Sequence, residues 1–251
     1  MRFRDRREAG WRLAARLIEY VGRPGVIVLA LPRGGVPVAY EIAKAIGAPL
    51  DVFLVRKLCV PGYEELAMGA IATGGVSVLN EDVVRYLDIS DQIVDEVAER
   101  ERRELERRER LYRGERARPN LAGRAIILVD DGLATGSMMR VACAAVREHQ
   151  PALVIIAVPV ASRAAYEAYY DLADGVVCVS GAAPDPFHAM GLWYDDFSQT
   201  TDEEARELLA QAAYLLRLTP LDEPAIDGSY NQERGREEGA HFRSRGKMTT
   251  G

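Results

Sequence analysis

Residues 26–31 read Val-Ile-Val-Leu-Ala-Leu, six apolar positions with no polar break. A run of that length suits a strand covered on both faces, as in a parallel sheet. It stops at Pro32-Arg33-Gly34-Gly35, and a helix of small residues is predicted from there to about Gly47. Residues 50–55 are again strand-like and end at Arg56-Lys57. Upstream, Trp11, Ala14, Ala15 and Ile18 fall at i, i+3, i+4 and i+7, which predicts a helix with one buried stripe, halted by Gly22, Pro24 and Gly25. Further strands are expected at 125–129, 153–158 and 176–179. Helices are expected from 137 to about 148, over 162–173 and over 201–218, the last opening on Thr-Asp-Glu-Glu, a capping-box pattern. Strands that alternate with helices imply a parallel sheet with right-handed crossovers.

Other segments depart from that rhythm. Residues 58–67 read as irregular around a Pro61-Gly62 turn, and 68–80 as two short strands about Thr73-Gly74-Gly75. Residues 89–113 are dense in Glu and Arg, with a thin apolar seam at Ile93, Val97 and Leu105. This reads as a solvated helix laced with i,i+4 pairs rather than an interaction tail. Residues 181–199 form an irregular loop rich in Pro, Gly and aromatics. From 220 to 251 large apolar residues are scarce and Gly, Arg and Glu abundant, which predicts a disordered tail. The expected organisation is one folded unit over 1–219, with a lid and hairpin at 58–80, a charged helical insertion at 89–113 and a hood at 181–199. No internal repeat is visible.

Composition narrows the function. Of 251 residues, 48% are hydrophobic and 28% charged, with a net charge of −6, so a large basic face for duplex nucleic acid is not expected. No apolar run approaches the ~18 residues of a membrane span, and the charged start, MRFRDRREAG, lacks the apolar core of a secretory signal. Cys59, Cys143 and Cys178 are odd in number and far apart. That speaks against a disulfide framework or a zinc knuckle and for a reduced, cytoplasmic setting. Three histidines supply little material for Ser-His-Asp or poly-His metal chemistry.

The segment richest in chemistry runs from Ile126 to Met138. An apolar strand delivers Asp130 and Asp131 to the carboxyl edge of a sheet, a short turn follows, and a helix opens at Thr135-Gly136-Ser137. A helix start offers unpaired N–H groups and a positive dipole end, which suit a phosphate. Gly136 permits close backbone approach, and Thr135 and Ser137 add hydroxyls. The two carboxylates can accept hydrogen bonds from sugar hydroxyls or hold a divalent cation through water. The combination fits a sugar phosphate. A plain cap-and-turn reading explains one carboxylate, but not two followed by Thr-Gly-Ser.

Four apolar residues, two acidic residues, a short turn and Thr-Gly-Ser resemble the phosphoribosyl pyrophosphate (PRPP) motif of the type I phosphoribosyltransferases. The motif spans about thirteen residues, and the order of elements agrees from roughly 1 to 218. The whole chain is similar to a predicted subgroup of that class, with Phe3-Arg4-Asp5-Arg6 at its start and Leu31-Pro32-Arg33-Gly34-Gly35 after its first strand. The resemblance implies an α/β fold, a Rossmann-like parallel sheet flanked by helices with a small hood and a helical insertion. It implies a Mg2+-dependent enzyme that transfers 5-phosphoribosyl from PRPP to an acceptor and releases pyrophosphate. It places the 5′-phosphate at Ala134, Thr135, Gly136, Ser137 and Met138, and the ribose hydroxyls at Asp130 and Asp131, which also face the metal through water or substrate. Pyrophosphate falls to Arg33, Gly34 and Gly35; glycines expose N–H groups to an anion, and Arg33 can fork onto phosphate oxygens. The alternative there is an ordinary strand-to-helix turn. Arg56-Lys57 resembles the Arg-Lys pair of orotate-type members, with Lys57 meeting pyrophosphate; the alternative is an exposed basic pair. Residues 58–67 match the position of the family's mobile lid.

One departure matters. Ala134 stands where 6-oxopurine members carry an Asp that contacts the base and moves its proton, which disfavours hypoxanthine or guanine as acceptor. The acceptor is left to the hood, where Phe187, Trp193 and Tyr194 could stack on a planar ring and His188, Asp195 or Asp196 could read donors or take a proton. The same aromatics could simply glue the loop to the core. Two other readings stay open: a regulatory module that binds PRPP or a nucleotide without turnover, and a transferase or hydrolase with a non-base acceptor. Members of the class are often dimers, so a homodimer is open as well. No nucleic-acid or membrane partner is expected.

Overall fold

The computed structural model describes residues 2–134, 136–169, 172–180, 182–183 and 189–218. The predicted tail at 220–251 therefore lies outside the described residues. The apolar runs become five parallel strands: β1 (Val26–Ala30), β2 (Leu50–Val52), β6 (Ala125–Val129), β7 (Leu153–Val158) and β9 (Gly175–Cys178). Their order is β2-β1-β6-β7-β9, and Ala30 pairs with Val129 at the carboxyl edge. Every residue of β1, β6 and β7 is buried, because helices cover both faces. Val26, Val28, Ala30, Ile127 and Val129 face one core with α1 (Arg6–Ala14), α2 (Gly35–Ile46), α4 (Asp91–Arg113) and α7 (Asp202–Leu218). Ile27, Leu29, Ile126 and Leu128 face the other, with α5 (Ser137–Arg147) and α6 (Arg163–Ala168). The chain leaves β1 toward β2 on one side, and later leaves β6 toward β7 on the other. The loops after β1 and β6 thus diverge and open a crevice at the switch point, the usual ligand position in such sheets.

A second, antiparallel sheet of β3 (Val55–Val60), β4 (Tyr63–Ala72) and β5 (Ser77–Leu79) stands apart from the first and is followed by the short helix α3 (Glu81–Tyr86). This corrects two expectations. The strand foreseen over 50–55 ends at Val52, and Arg56-Lys57 belong to β3 of the second sheet. The 58–67 segment is a ribbon turning at Pro61-Gly62, with register shifts at Leu58/Cys59 and Cys59/Val60. Residues 61–66 are exposed, so no buried face imprints an alternating pattern on the sequence. The hairpin about Thr73-Gly74-Gly75 forms as expected. A two-stranded parallel pair, β8 (Ala161–Ser162) with β10 (Ala182–Ala183), completes the strands, and the helix foreseen over 162–173 is confined to α6.

The first helix turns a different face inward. Trp11 is 68% exposed and Ile18 73%, whereas Ala9, Gly10, Leu13 and Ala14 are buried. Gly10 lies against the backbone of Val38, leaving no room for a side chain, so α1 and α2 pack closest along that line. A glycine contributes nothing to a hydrophobic count, which is why the spacing of apolar residues points to another face. Asp5 caps the helix by accepting from the Glu8 N–H at 2.8 Å. The charged helix is present as α4, with Val94, Val97, Leu105 and Tyr112 buried, Ile93 turned outward, and Glu99 and Glu104 paired to arginines three and four residues on. α7 keeps half of its capping box: Thr201 Oγ1 accepts from the Glu204 N–H at 3.0 Å. Among the described residues no helix is long and apolar enough to cross a membrane.

Candidate active site

The crevice at the switch point holds a cavity of about 500 Å³. It is lined by Arg6 of α1, Pro32-Arg33-Gly34 after β1, Arg107, Arg108 and Tyr112 of α4, Asp131 after β6, and Phe197, Gln199, Thr200 and Asp202 around the start of α7. The register of β1 on β6 puts the two loops side by side. Gly34 has no space for a β-carbon, because the Asp131 carboxylate fills it, and a β-carbon at Gly35 would stand 2.7 Å from the Val129 carbonyl oxygen. The Pro32–Arg33 peptide is cis. Among the described residues the Arg33 side chain has no carboxylate partner.

Asp131 is held from three directions. Its Oδ2 accepts from Arg6 Nε at 2.8 Å, its carbonyl accepts from the Tyr194 hydroxyl at 2.6 Å, and its N–H donates to Asp130 Oδ1 at 2.9 Å. The Arg6 and Asp131 side chains are only 11% and 18% exposed, so this ion pair is well shielded from water. Arg6 Nη1 also donates to the Ser198 carbonyl at 2.6 Å, and the guanidinium lies 4.1 Å from the Phe197 ring centre. Burial and the neighbouring Asp131 push the Asp130 carboxyl well above the usual carboxylate range.

The turn after β6 is fixed by residues that no sequence pattern flagged. Ser162 Oγ donates to the Ala134 carbonyl at 2.7 Å, and the buried Tyr169 hydroxyl donates to the Gly136 carbonyl. Burial pushes the Tyr169 hydroxyl up to about 12, so it remains a donor. Gly136, at φ +71°, caps α5, a conformation glycine adopts without strain. Ser137 is exposed at the first position of that helix and Met138 half-buried beside it. Thr135 lies outside the described residues.

The structure therefore brings Arg33, Gly34 and Asp131 into one cavity, with Gly35 and Asp130 directly behind. Ala134, Gly136, Ser137 and Met138 occupy the adjoining strand-to-helix turn and do not line that cavity. Arg56 and Lys57 are not brought to it either. Arg56 donates to Glu101 Oε2 from Nε at 2.8 Å and Nη2 at 2.5 Å, and Lys57 is exposed on β3. Tyr194 is 1% exposed. It bridges to Phe3 in the N-terminal arm and stacks on Phe197 with ring centres 5.0 Å apart, so its ring is core and not a surface for an incoming base. Trp193 packs on the same cluster, and its carbonyl accepts from the Phe3 N–H at 2.8 Å. Phe187 and His188 lie outside the described residues. Sequence reasoning missed Arg6, Arg107, Arg108, Ser162 and Tyr169. Only Arg6 carried a signal, as part of the Phe3–Arg6 segment. Among the described residues no three His, Cys, Asp or Glu side chains gather as a metal cage.

Comparison with known proteins agrees with this architecture. The family model described as a phosphoribosyl transferase domain matches residues 6–189. Two Mycobacterium tuberculosis proteins, from strains CDC 1551 and H37Rv and named as candidate phosphoribosyl transferases, are each 46% identical over 210 residues. The alignment covers 84% of this chain and 47% of theirs, so the chain spans about half the length of these relatives. A crystal structure of a Thermus thermophilus protein is similar with a TM-score of 0.73 and 43% identity, over 84% of this chain and 99% of that one.

Proposed function

The chain belongs to the phosphoribosyl transferase domain family, and from that premise we propose that it transfers the 5-phosphoribosyl group of PRPP to an acceptor and releases pyrophosphate. The observation that carries the reading is the meeting, in one cavity, of the Pro32-Arg33-Gly34 loop with the carboxylate of Asp131. Pyrophosphate is received by Arg33 beside the start of α2, where the helix dipole favours an anion, while the Gly35 and Val36 N–H groups are taken by the Leu31 and Arg33 carbonyls. Asp131 turns Oδ1, which accepts no hydrogen bond among the described residues, toward a ribose hydroxyl, while Arg6 holds Oδ2. The 5′-phosphate belongs at the Ala134–Met138 turn, steadied by Ser162 and Tyr169. The ribose C1–O bond breaks with its electron pair leaving on pyrophosphate, and the acceptor's lone pair forms the new bond at C1. Asp130 and Asp131 orient the ribose, and Asp131 favours the positive charge that develops on it.

Asp131, with Asp130 behind it and no third His, Cys, Asp or Glu gathered there among the described residues, suits a Mg2+ that arrives on the substrate, since that ion is commonly held by one or two carboxylates plus phosphate oxygens. Bound there, it supplies neutralising charge to the departing pyrophosphate. A non-base acceptor is a second reading, favoured by one observation. Among the described residues, Tyr194 is buried, and the Phe197 ring that lines the cavity is already engaged by Tyr194 and Arg6. Pyrophosphate release from PRPP, assayed against a panel of bases, amines and sugar alcohols, tests the proposal. Full turnover in Asp130→Asn/Asp131→Asn would sink it, and PRPP binding with no turnover against any acceptor would favour a regulatory module.

A further inference from the structure

We propose that Arg107 and Arg108 of α4 form, in the cavity that Arg33 also lines, an anion subsite that receives a phosphate or carboxylate group of a substrate. The proposal deepens the phosphoribosyltransferase reading and rests on it. Among the described residues, four guanidinium groups, Arg6, Arg33, Arg107 and Arg108, line the cavity beside two carboxylates, Asp131 and Asp202. The Arg6 charge is balanced by Asp131 and that of Arg33 by nothing described. Arg107 and Arg108 share a single acid. Arg107 Nε and Nη2 donate to Glu104 at 2.7 and 2.9 Å, and Arg108 Nε donates to the same carboxylate at 2.9 Å. One acid thus orients two cations, which leaves a net positive charge and, among the described residues, no hydrogen-bond partner for either terminal nitrogen of Arg108. The two arginines hold the Glu104 carboxyl down to about 2, as expected of an acid they share. Arg108 and Arg33 both act electrostatically on the Tyr112 hydroxyl, which lines the same cavity. That hydroxyl donates to Asp202 Oδ1 at 2.5 Å, and the Asp202 carboxylate also acts on Arg107, so Arg6, Arg33, Arg107 and Arg108 stand against Asp131, Asp202 and Glu104 with one positive charge in surplus.

Two sources carry the required anion: the pyrophosphate arm of the donor, and an acidic group on the acceptor. Isothermal titration with pyrophosphate, then with inorganic phosphate into pyrophosphate-saturated protein, separates them. Arg107→Gln/Arg108→Gln is compared with Arg102→Gln/Arg103→Gln, which removes the same charge earlier in the same helix at residues that pair with Glu99 and do not line the cavity. Arg107 and Arg108 are 59% and 43% exposed, so their replacement leaves the core intact. The expected result is a roughly tenfold or greater loss, the effect of about one hydrogen bond to a charged group, with the control within about twofold and partial recovery in Arg107→Lys/Arg108→Lys. Loss on pyrophosphate assigns the subsite to the donor. Retained pyrophosphate with loss of the second phosphate assigns it to the acceptor. Wild-type binding of both anions by the double variant overturns the inference, as does a wild-type chain that binds neither. If the arginine dependence holds but PRPP binds no better than pyrophosphate, the subsite stands and the phosphoribosyl reading falls.

Discussion

Gly35→Ala tests whether the crevice depends on backbone contact between its two loops. Gly35 opens α2 with an ordinary negative φ, so alanine brings no conformational strain and the effect is purely one of space. The added β-carbon would stand 2.7 Å from the Val129 carbonyl oxygen and 3.0 Å from Cα of Asp130. The backbone must retreat by about 0.7 Å, the shortfall between 2.7 Å and the 3.4 Å at which ordinary contact begins. The same carbonyl accepts from the Leu31 N–H at 2.8 Å, so that bond lengthens as well. Neither partner is a flexible side-chain end. The cost should be that of overpacking, about 1–3 kcal/mol, which at this size lowers Tm by roughly 2–12 °C. Asp130 and Asp131 move with the strand end, and a displacement approaching 1 Å costs on the order of tenfold to a hundredfold in a positioned reaction. Scanning calorimetry and titration with PRPP read both effects. Gly175→Ala is the control: its β-carbon meets only the Ile155 side-chain methyl, at 3.2 Å, which can yield. A Gly35→Ala protein that melts with wild type and binds PRPP equally would refute the steric argument.

Arg113→Ala should cost about 3–5 kcal/mol in urea denaturation, because it strips the buried Asp51 of its 2.7 Å partner and leaves Glu109 buried beside it. Glu104 has its carboxyl lowered from 4.5 to about 2, so its stabilisation is complete above pH ~4.5 and is lost as pH falls toward 2. The Tm difference between wild type and Glu104→Gln should therefore close over that interval, and a difference that widens in acid contradicts the pairing. Tyr169→Phe removes the donor to the Gly136 carbonyl; a loss of about 1 kcal/mol is expected, with PRPP affinity falling more than pyrophosphate affinity because the loosened turn is the one assigned to the 5′-phosphate. Trp11→Ala should stay within about 0.5 kcal/mol of wild type, whereas Leu13→Ala should cost about 2–5 kcal/mol, as thermal melts of the two will show.

What the sequence determined by itself was whatever short-range pattern encodes. The buried strands at 26–30, 125–129 and 153–158 announce themselves because a strand covered on both faces must be apolar at every position. The Asp130-Asp131 turn and the Arg33-Gly34-Gly35 loop were legible because strand, loop and helix start are contiguous in the chain. The tertiary structure alone decided which face of α1 is buried, since the governing contact is the bare backbone of Gly10 on Val38. It also decided that Arg56 serves Glu101 rather than the cavity, because β3 leaves the main sheet. Arg6 meets Asp131 across 125 residues, and Tyr169 meets Gly136 across 33. No local periodicity records such pairings, since only the stacking of α1 and α6 on the sheet creates them. The charged helix shows the difference most plainly. Its i,i+4 spacing gives Glu104 its arginine neighbours from sequence alone, but only packing of α4 against β3 and α7 brings Arg107 and Arg108 to a cavity shared with the loop after β1.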